Sequence, residues 1–183
     1  MKAVILAGGL GTRFAEETVL RPKPMIEIGG RPILWHIMMH YAGFGVTEFV
    51  ITLGYKGEQI KAFFSQELAL RGSLTADFRN GRVDRLEDER RREDDWLVHL
   101  METGAETPTG GRVARVANLV KEATFMLTFG DGVSNVDIGR LLEFHRSHGR
   151  LATVTAVRPP GRFGEMGFDG DRVTSFAEKP ADG

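Results

Sequence analysis

The chain opens with MKAVILAGGLGTR, residues 1–13, and this stretch decides the predicted fold. Val4-Ile5-Leu6 is a continuous apolar run, which is typical of a strand that a parallel sheet buries on both faces. Gly8, Gly9 and Gly11 lie just past its end. Ligands of open parallel sheets bind beyond the carboxyl ends of the strands, and backbone N–H groups of glycines can approach phosphate oxygens closely. The stretch therefore predicts a buried strand followed by a phosphate-binding loop.

This glycine loop matches neither of the two common phosphate fingerprints. The Rossmann pattern requires a third glycine where this sequence has Phe14, and the Walker pattern ends in Gly-Lys-Ser/Thr, which is absent. Thr12-Arg13 instead places an arginine at the tip of the loop, where its guanidinium suits bidentate contact with an oxyanion. A tight strand-to-helix turn with a surface arginine is the alternative interpretation, and the loop alone does not decide between the two.

Apolar periodicity continues this beginning as an alternation of strands and helices. The predicted segments are strand 4–6, helix 33–42, strand 49–53, helix 58–70, strand 96–101, helix 113–120, strand 125–129, helix 138–148, strand 151–157 and a hairpin over 167–177. Proline before the helix at 33–42 and glycine after it are the expected punctuation of a helix. The alternation predicts an α/β fold with a Rossmann-like, mixed but mainly parallel sheet that carries helices on both faces.

Residues 72–103 interrupt the alternation with a charged excursion. Its most charged part, 87–95, reads Glu-Asp-Glu-Arg-Arg-Arg-Glu-Asp-Asp. We expect a solvated loop or hairpin there, and a contact between subunits is the alternative.

Composition excludes several classes of function. The 183 residues carry 24 basic and 25 acidic side chains, a net charge of -1, which argues against a dedicated nucleic-acid binder. There is no cysteine, so disulfides, thiolate metal sites and cysteine nucleophiles are excluded. No apolar run reaches the length of a membrane span, and the run over 3–7 is too short for a signal-peptide core. We therefore expect a cytoplasmic protein with no membrane partner.

Lys23 is a candidate phosphate ligand. It lies between Pro22 and Pro24, which hold the backbone extended and stiff, so the lysine is oriented at small entropic cost. A surface lysine in a proline-rich linker is the alternative. The position of Lys23 shortly after a glycine loop and Arg13 favours the phosphate role.

Asp131 is a candidate magnesium ligand. Gly130-Asp131-Gly132 follows the predicted strand over 125–129, at the same sheet edge as the glycine loop. A hard carboxylate at that place suits a Mg²⁺ ion that bridges phosphates. A strand-ending turn, for which Asp and Gly are common, is the alternative.

Two further motifs and one histidine pair complete the candidates. Glycines in Thr109-Gly110-Gly111, before the predicted helix, could let a flat base approach the backbone or could form a cap. Glu178-Lys179 offers one acceptor for hydroxyls and one cation for a phosphate. His36 and His40 lie four residues apart on one helix, and we interpret them as buried or helix-surface residues rather than metal ligands.

Together these segments closely resemble the sugar-1-phosphate nucleotidylyltransferases, and within that family the members that use CTP and glucose 1-phosphate. The segments that carry the resemblance are Leu6 to Arg13, Glu16-Glu17-Thr18, Pro22 to Met25, Glu27 to Met38, Gly54 to Gly57, Thr109 to Arg112, Gly130 to Gly132, Pro159 to Gly164 and Glu178 to Pro180. The resemblance implies a Rossmann-like nucleotidyltransferase sheet of the GT-A type and a transfer from CTP to glucose 1-phosphate with Mg²⁺ as cofactor.

The same resemblance implies roles for individual residues. Nucleotide contacts fall on Leu6, Ala7, Gly8, Gly9, Leu10, Gly11, Thr12, Arg13, Lys23, Thr107, Thr109, Gly110, Gly111, Arg112 and Gly130. Arg13 and Lys23 contact the phosphates, the segment from Thr107 to Arg112 frames the base, and Asp131 holds Mg²⁺. Arg13, Lys23 and Asp131 form the catalytic set. Glu178 and Lys179 reach the sugar phosphate.

The chain is interpreted as a single nucleotidyltransferase domain over 1–183, truncated at its C terminus. Family members continue past Glu-Lys-Pro, and their continuation carries much of the sugar pocket and a second carboxylate for the metal. A homo-oligomer is possible. Two other functions stay open: a nucleotide-binding fragment without turnover, and the same reaction with another nucleoside triphosphate and sugar 1-phosphate.

Overall fold

The computed structural model describes residues 1–9, 21–70, 73–86, 95–121, 124–157 and 165–177. In chain order the elements are β1 (Lys2–Leu6), a 3₁₀ turn (Lys23–Met25), β2 (Glu27–Ile28), β3 (Arg31–Pro32), α1 (Ile33–Ala42), β4 (Glu48–Leu53), α2 (Gly57–Leu70), β5 (Ser73–Asp77), β6 (Arg82–Leu86), β7 (Leu97–Glu102), α3 (Thr109–Arg115), α4 (Ala117–Val120), β8 (Met126–Phe129), α5 (Ile138–His148), β9 (Glu165–Asp169) and β10 (Arg172–Ala177). The chain divides into two compact units, Met1–Gly139 and Arg140–Gly183.

The first unit is built on a sheet of four parallel strands in the order β7-β4-β1-β8. The two inner strands are the most buried, and Val4, Ile5, Phe49 and Val50 have no exposed surface. This burial agrees with the continuous apolar runs from which the strands were predicted. The prediction of an α/β fold with a mainly parallel sheet flanked by helices is confirmed.

The connections between these strands create a switch point beside β1. From β1 the chain passes through α1 to β4, and then to β7 farther out on the same side. It then returns to add β8 on the opposite side of β1. In open α/β sheets a crevice forms where the strand order reverses in this way, outside the carboxyl ends of the strands. The fold therefore places a crevice beyond Leu6 and Phe129.

Helix α1 covers the sheet with one apolar face. Leu34, Ile37, Met38 and Tyr41 are buried, at the three- and four-residue spacing of a helical stripe. Burial raises the pKa of the Tyr41 hydroxyl, and a side-chain hydrogen bond with Thr128 of β8 opposes that rise. The predicted bounds of this helix, 33–42, are confirmed.

An ion pair closes the opposite end of the sheet. Lys2 Nζ lies 2.7 Å from Glu48 Oε1, across the first register position of β1 and β4. The hydrogen bond from Lys2 lowers the pKa of Glu48 below its ordinary value of 4.5. A carboxyl group with a lowered folded pKa stabilises the fold above its ordinary pKa, and that contribution is lost as the pH falls through the lower folded value.

The charged excursion over 72–103 contains a hairpin of β5 and β6. This agrees with the expectation of a solvated loop or hairpin in that region. Its turn is fixed by Asp77, whose carboxylate accepts hydrogen bonds from the backbone and side chain of Arg79 and from Asn80. Gly81 completes the turn with a φ of 68°. Most of the run over 87–95 lies outside the described residues.

Two predicted elements differ in the structure. The helix predicted over 113–120 begins at Thr109 and divides into α3 and α4 at Val116, whose backbone leaves the helical region (φ -106°, ψ 7°). The Val116 side chain is fully buried in a cluster with Val4, Val50 and Val120. This packing outweighs the local helical pattern, since tertiary contacts routinely override propensity. Gly110 and Gly111 consequently lie inside α3 rather than before it.

The predicted strand over 151–157 is wrong. The structure has no strand there, and the side chains of Leu151, Val154 and Val157 are exposed. β-branched residues favour an extended chain, but a strand also needs a neighbour to pair with. No described strand pairs with this segment.

The second unit contains most of α5 and the antiparallel pair of β9 and β10. The turn between these strands is Asp169-Gly170-Asp171, with Gly170 at a φ of 58°, so the predicted hairpin is confirmed. The end of α5 is tied to the following segment because Thr153 Oγ1 lies within 2.9 Å of His145 Nδ1 and 2.8 Å of His148 Nε2. The single domain over 1–183 stays a prediction. Within the described ranges, none of the helices is both long and apolar enough to cross a membrane.

Candidate functional site

A cleft of about 310 Å³ lies in the first unit, beyond the carboxyl ends of β1 and β8. Its lining comprises Leu6, Ala7, Gly8, Gly9, Lys23, Pro24, Ala105, Glu106, Thr107, Pro108, Thr109, Arg112, Phe129 and Asp131. Nine of the residues proposed from sequence therefore share one cleft. This is the crevice that the strand order predicts.

The start of the glycine loop is held by hydrogen bonds that extend the sheet. The Ala7 N–H donates to the Thr52 carbonyl over 3.1 Å, and the Gly130 N–H donates to the Leu6 carbonyl over 2.9 Å. The Tyr55 N–H then donates to the Gly8 carbonyl over 3.3 Å. The backbone therefore enters the cleft at a fixed position, and Gly9 stays exposed with open space around its α-carbon.

Lys23 and Asp131 meet across the cleft, with Lys23 Nζ 3.8 Å from Asp131 Oδ2. Pro22 is extended as predicted, but Lys23 is not: it begins a 3₁₀ turn, in which its carbonyl accepts a hydrogen bond from the Ile26 N–H. The lysine side chain is 19% exposed and the aspartate 44% exposed. The two charges thus lie near enough to act on one ligand, and the aspartate retains access to solvent.

Gly130 allows these two segments to approach each other. A β-carbon at that position would lie 3.1 Å from Pro24 Cγ and 3.2 Å from the Leu6 carbonyl oxygen. Only glycine fits there without a shift of the neighbours. Gly130 is buried behind the lining rather than part of it.

Arg112 is the most buried charged residue near the cleft, with 4% of its surface exposed. Its guanidinium donates hydrogen bonds of 2.7–3.0 Å to the carbonyls of Leu53, Gly104, Gly8 and Ala105 and to Thr103 Oγ1. These acceptors come from the ends of β1 and β4 and from the segment after β7. One side chain therefore joins three strand ends beneath the cleft.

The guanidinium of Arg112 packs against two glycines. A β-carbon on Gly8 would lie 2.1 Å from its Nη1 atom, and one on Gly54 would lie 2.6 Å from the same atom and from the Gly8 carbonyl oxygen. Both glycines therefore leave the space that the guanidinium occupies. This close contact explains the absence of a side chain at both strand ends.

The charge on Arg112 contributes to the electrostatics of the cleft. Burial lowers its pKa, and the neighbouring charge of Arg115 lowers the pKa further. The ordinary pKa of arginine is so far above neutral that the group stays cationic at neutral pH. Its described acceptors are uncharged oxygens, which leave the positive charge unneutralised, and such a charge attracts anions to the cleft.

His36 and His40 each donate a hydrogen bond to a backbone carbonyl. The His36 Nε2–H group donates to the Ile28 carbonyl, in the hairpin after Lys23, and the His40 Nε2–H group to the Val136 carbonyl, in the segment after Asp131. Both bonds are 2.8 Å long. Within the described ranges, no group of three or more His, Asp or Glu side chains is placed to hold a metal ion.

Several predicted site residues do not line the cleft or cannot be placed. Gly110 is exposed on α3, and Gly111 packs against the Thr107 side chain without lining the cleft itself. Leu10, Gly11, Thr12, Arg13, Glu178 and Lys179 lie outside the described residues.

Five further residues line the cleft that were not among the predicted contacts, namely Pro24, Ala105, Glu106, Pro108 and Phe129. Four of them directly adjoin predicted residues, because Pro24 follows Lys23, Glu106 and Pro108 flank Thr107, and Phe129 precedes Gly130. Adjacency in sequence was therefore the available signal. Gly54 was not predicted as a site residue. It follows the end of β4, in the same way that the glycine loop follows the end of β1.

The family described as nucleotidyl transferase matches residues 2–183 of the chain. The chain is 49% identical over 181 residues to a glucose-1-phosphate cytidylyltransferase of Salmonella typhi, covering 98% of this chain and 69% of that protein. It is 42% identical over 179 residues to a probable glucose-1-phosphate cytidylyltransferase of Bacillus subtilis (strain 168), with the same coverage of both. The chain thus spans about two thirds of the length of these relatives.

The fold is similar to that of solved structures. HddC from Yersinia pseudotuberculosis aligns with a TM-score of 0.64 and 24% identity, over 97% of this chain and 69% of the other. A putative glucose-1-phosphate thymidylyltransferase from Bacillus anthracis aligns with a TM-score of 0.61 and 19% identity, over 98% and 65%. At these identities the likeness concerns the fold.

Proposed function

The chain belongs to the nucleotidyl transferase family, and from this premise we propose that it transfers the cytidylyl group of CTP to glucose 1-phosphate. The products are CDP-glucose and pyrophosphate. The observation that carries the proposal is the cleft that brings the glycine loop, Lys23 and Asp131 together, in a chain 49% identical to a glucose-1-phosphate cytidylyltransferase.

The reaction is a direct phosphoryl-group substitution. A phosphate oxygen of glucose 1-phosphate attacks the α-phosphorus of CTP, and the bond from that phosphorus to the bridging oxygen breaks. Pyrophosphate leaves opposite the attacking oxygen and takes the electron pair of the broken bond. Catalysis of such a transfer consists mainly of aligning two anions that repel each other and stabilising the charge that develops.

The residues of the cleft suit this task. Lys23 lies between two prolines, which restrict its backbone, and its ammonium group lies beside Asp131 in the cleft where we propose that the phosphates bind. The backbone beyond Gly8 is anchored by the sheet and by Arg112, and the exposed Gly9 leaves room for a phosphate to approach. We propose that Arg13 adds a second cation from the tip of the loop.

The chemistry of Asp131 fits a magnesium ion. Mg²⁺ is usually bound through one or two carboxylates together with phosphate oxygens of the substrate. The Asp131 carboxylate lines the cleft and is partly exposed, so it can provide one hard oxygen ligand. The ion, when bound, neutralises charge on the phosphates and orients them. Lys23, whose ammonium group lies 3.8 Å from this carboxylate, would contact phosphate oxygens of the same ligand.

Recognition of the two substrates is assigned to flanking segments. Thr107, Thr109 and Arg112 belong to the wall of the cleft on the side of α3, where we propose that the cytosine nucleoside lies. Gly111 packs against Thr107 of this wall, and Gly130 packs against Pro24 and Leu6 behind the cleft. We propose that the exposed Gly110 is a further nucleotide contact. Glu178 and Lys179 are proposed to contact the sugar phosphate. We further propose that the protein acts in the cytoplasm, with homo-oligomer formation possible.

A nucleotide screen tests this proposal. The protein is mixed with Mg²⁺, glucose 1-phosphate and CTP, UTP, dTTP or GTP, and both nucleotide binding and pyrophosphate release are measured. We expect CTP to bind most tightly and to support the fastest release, with CDP-glucose as the second product. Equal release with another nucleotide would contradict the assignment to CTP. Binding of CTP without any product would contradict transfer and identify a binding module instead.

A further inference from the structure

A second arginine of α3, Arg115, forms a hydrogen bond with Thr107 in the cleft wall on the side of α3. Arg115 lies one helical turn after Arg112, and its Nη1 atom donates to the Thr103 carbonyl and, over 2.7 Å, to Thr107 Oγ1. Arg115 does not line the cleft, whereas Thr107 does. The guanidinium thus contacts the wall from outside.

The backbone around Thr107 is shaped to fit this guanidinium. Gly104 has a φ of 84°, which side chains other than glycine rarely adopt. A β-carbon there would lie 2.8 Å from Arg115 Nη1 and 3.0 Å from Thr107 Oγ1. The segment therefore wraps around the arginine, and a glycine is required where the two come closest.

Thr107 is also held from its other side. A β-carbon on Gly111 would lie 2.9 Å from Thr107 Cγ2, so the methyl group of the threonine fills the space that this glycine leaves. With the methyl group against α3 and the oxygen bonded to Arg115, the side chain is restricted to one rotamer. A restricted side chain in a cleft costs little entropy when it binds a ligand.

The hydrogen bond from Arg115 also determines whether the Thr107 hydroxyl can donate or accept a hydrogen bond to a ligand. A guanidinium only donates, so Thr107 Oγ1 is the acceptor in this pair. The hydroxyl proton then remains available for an acceptor atom elsewhere. Thr107 consequently presents a hydrogen-bond donor of fixed orientation, which suits an oxygen or ring nitrogen of a nucleoside.

We propose that Arg115 is a positioning residue for nucleotide binding, and that it acts by holding Thr107 as an oriented donor. The inference rests on the proposed function, because it assigns the nucleoside to this wall. Arg115 contributes to affinity for the nucleotide and not to the chemical step at the α-phosphorus.

The test compares Arg115→Met, Arg115→Lys, Thr107→Val and the double variant Arg115→Met/Thr107→Val. Arg146→Met, which removes an exposed arginine from α5, is the matched control. For each protein the dissociation constant of Mg-CTP is measured by calorimetry, KM and kcat by pyrophosphate release, and folding by urea denaturation.

For Arg115→Met we expect the dissociation constant and KM for CTP to rise about tenfold, as for loss of one charge-assisted hydrogen bond. We expect kcat to stay within about threefold, because the bound substrate and the transition state lose the same contact. Arg115→Lys restores part of the affinity. The double variant binds about as weakly as either single variant, because the two residues act as one unit.

Three results would overturn the inference: unchanged CTP affinity in Arg115→Met, a loss confined to kcat, or additive losses in the double variant. Arg115→Lys and Thr107→Val keep the inference testable if Arg115→Met fails to fold. Failure of the unchanged protein to bind any nucleotide would refute the proposed function itself, whereas tight binding by the unchanged protein and Arg115→Met alike refutes only the role of Arg115.

Discussion

Replacing Lys23 with alanine is expected to lower the rate of pyrophosphate release at least about a hundredfold, because removal of one preorganised charge donor typically costs ~3–4 kcal/mol of barrier. The ammonium group lies 3.8 Å from the Asp131 carboxylate, in the cleft where the proposed function places the phosphates. The loss should appear mainly in kcat, since the lysine acts most strongly in the transition state. Steady-state kinetics with saturating CTP measures it. We expect a similar loss for Arg13→Ala.

The matched control is Lys121→Ala, an exposed lysine near the amino ends of the strands. It removes the same charge from the molecule, and we expect it to change the rate by less than about twofold. Turnover close to normal in both Lys23→Ala and Arg13→Ala would end the assignment of the phosphates to this cleft. An equal loss in Lys121→Ala would show that net charge matters, rather than position.

Replacing Gly8 with alanine is expected to destabilise the protein by about 3 kcal/mol, as overpacking and a disrupted hydrogen-bond network together do. The new methyl group would lie 2.1 Å from the Arg112 guanidinium, so the guanidinium must move away from its buried acceptors. The carbonyls of Leu53 and Gly8 would then lose a charged donor. Urea denaturation gives the change in the free energy of unfolding.

Gly9→Ala provides the control for this stability effect in the same loop. Gly9 is exposed and a β-carbon there meets nothing within 4 Å, so we expect its stability to change by less than about 0.5 kcal/mol. If the two variants were equally stable, the packing of Arg112 against Gly8 would have no energetic importance. Nucleotide affinity of Gly9→Ala is a separate question, because a methyl group there faces the space proposed for phosphate.

The parts of this structure that sequence predicted best depend on short-range patterns. An apolar run followed by glycines specified β1 and the start of the loop, and proline and glycine punctuation specified both ends of α1. Because parallel strands end at one edge of the sheet, the position of Lys23 and Asp131 in one cleft could be expected from their places in the chain. That expectation is met by their separation of 3.8 Å.

The environment of Arg112 could not be predicted in the same way. Its acceptors include carbonyls 59 and 104 residues away in sequence, and no local pattern encodes such distant contacts. The requirement for glycine at positions 8 and 54 follows from that guanidinium and not from turn geometry alone. The strand predicted over 151–157 failed for a related reason, since pairing depends on a neighbour that local propensity does not supply.

The proposed function requires the nucleotide's phosphates to bind where β1 and β8 end. A structure of the protein with Mg²⁺ and a CTP analogue that cannot be cleaved at the α-phosphorus tests it most directly. We predict the triphosphate within hydrogen-bonding distance of the Gly8–Gly9 backbone and Lys23 Nζ, with the metal ion on Asp131. A nucleotide bound instead in the cleft lined by Lys2, Glu48 and Lys121, at the amino ends of the strands, would refute this placement of the phosphates.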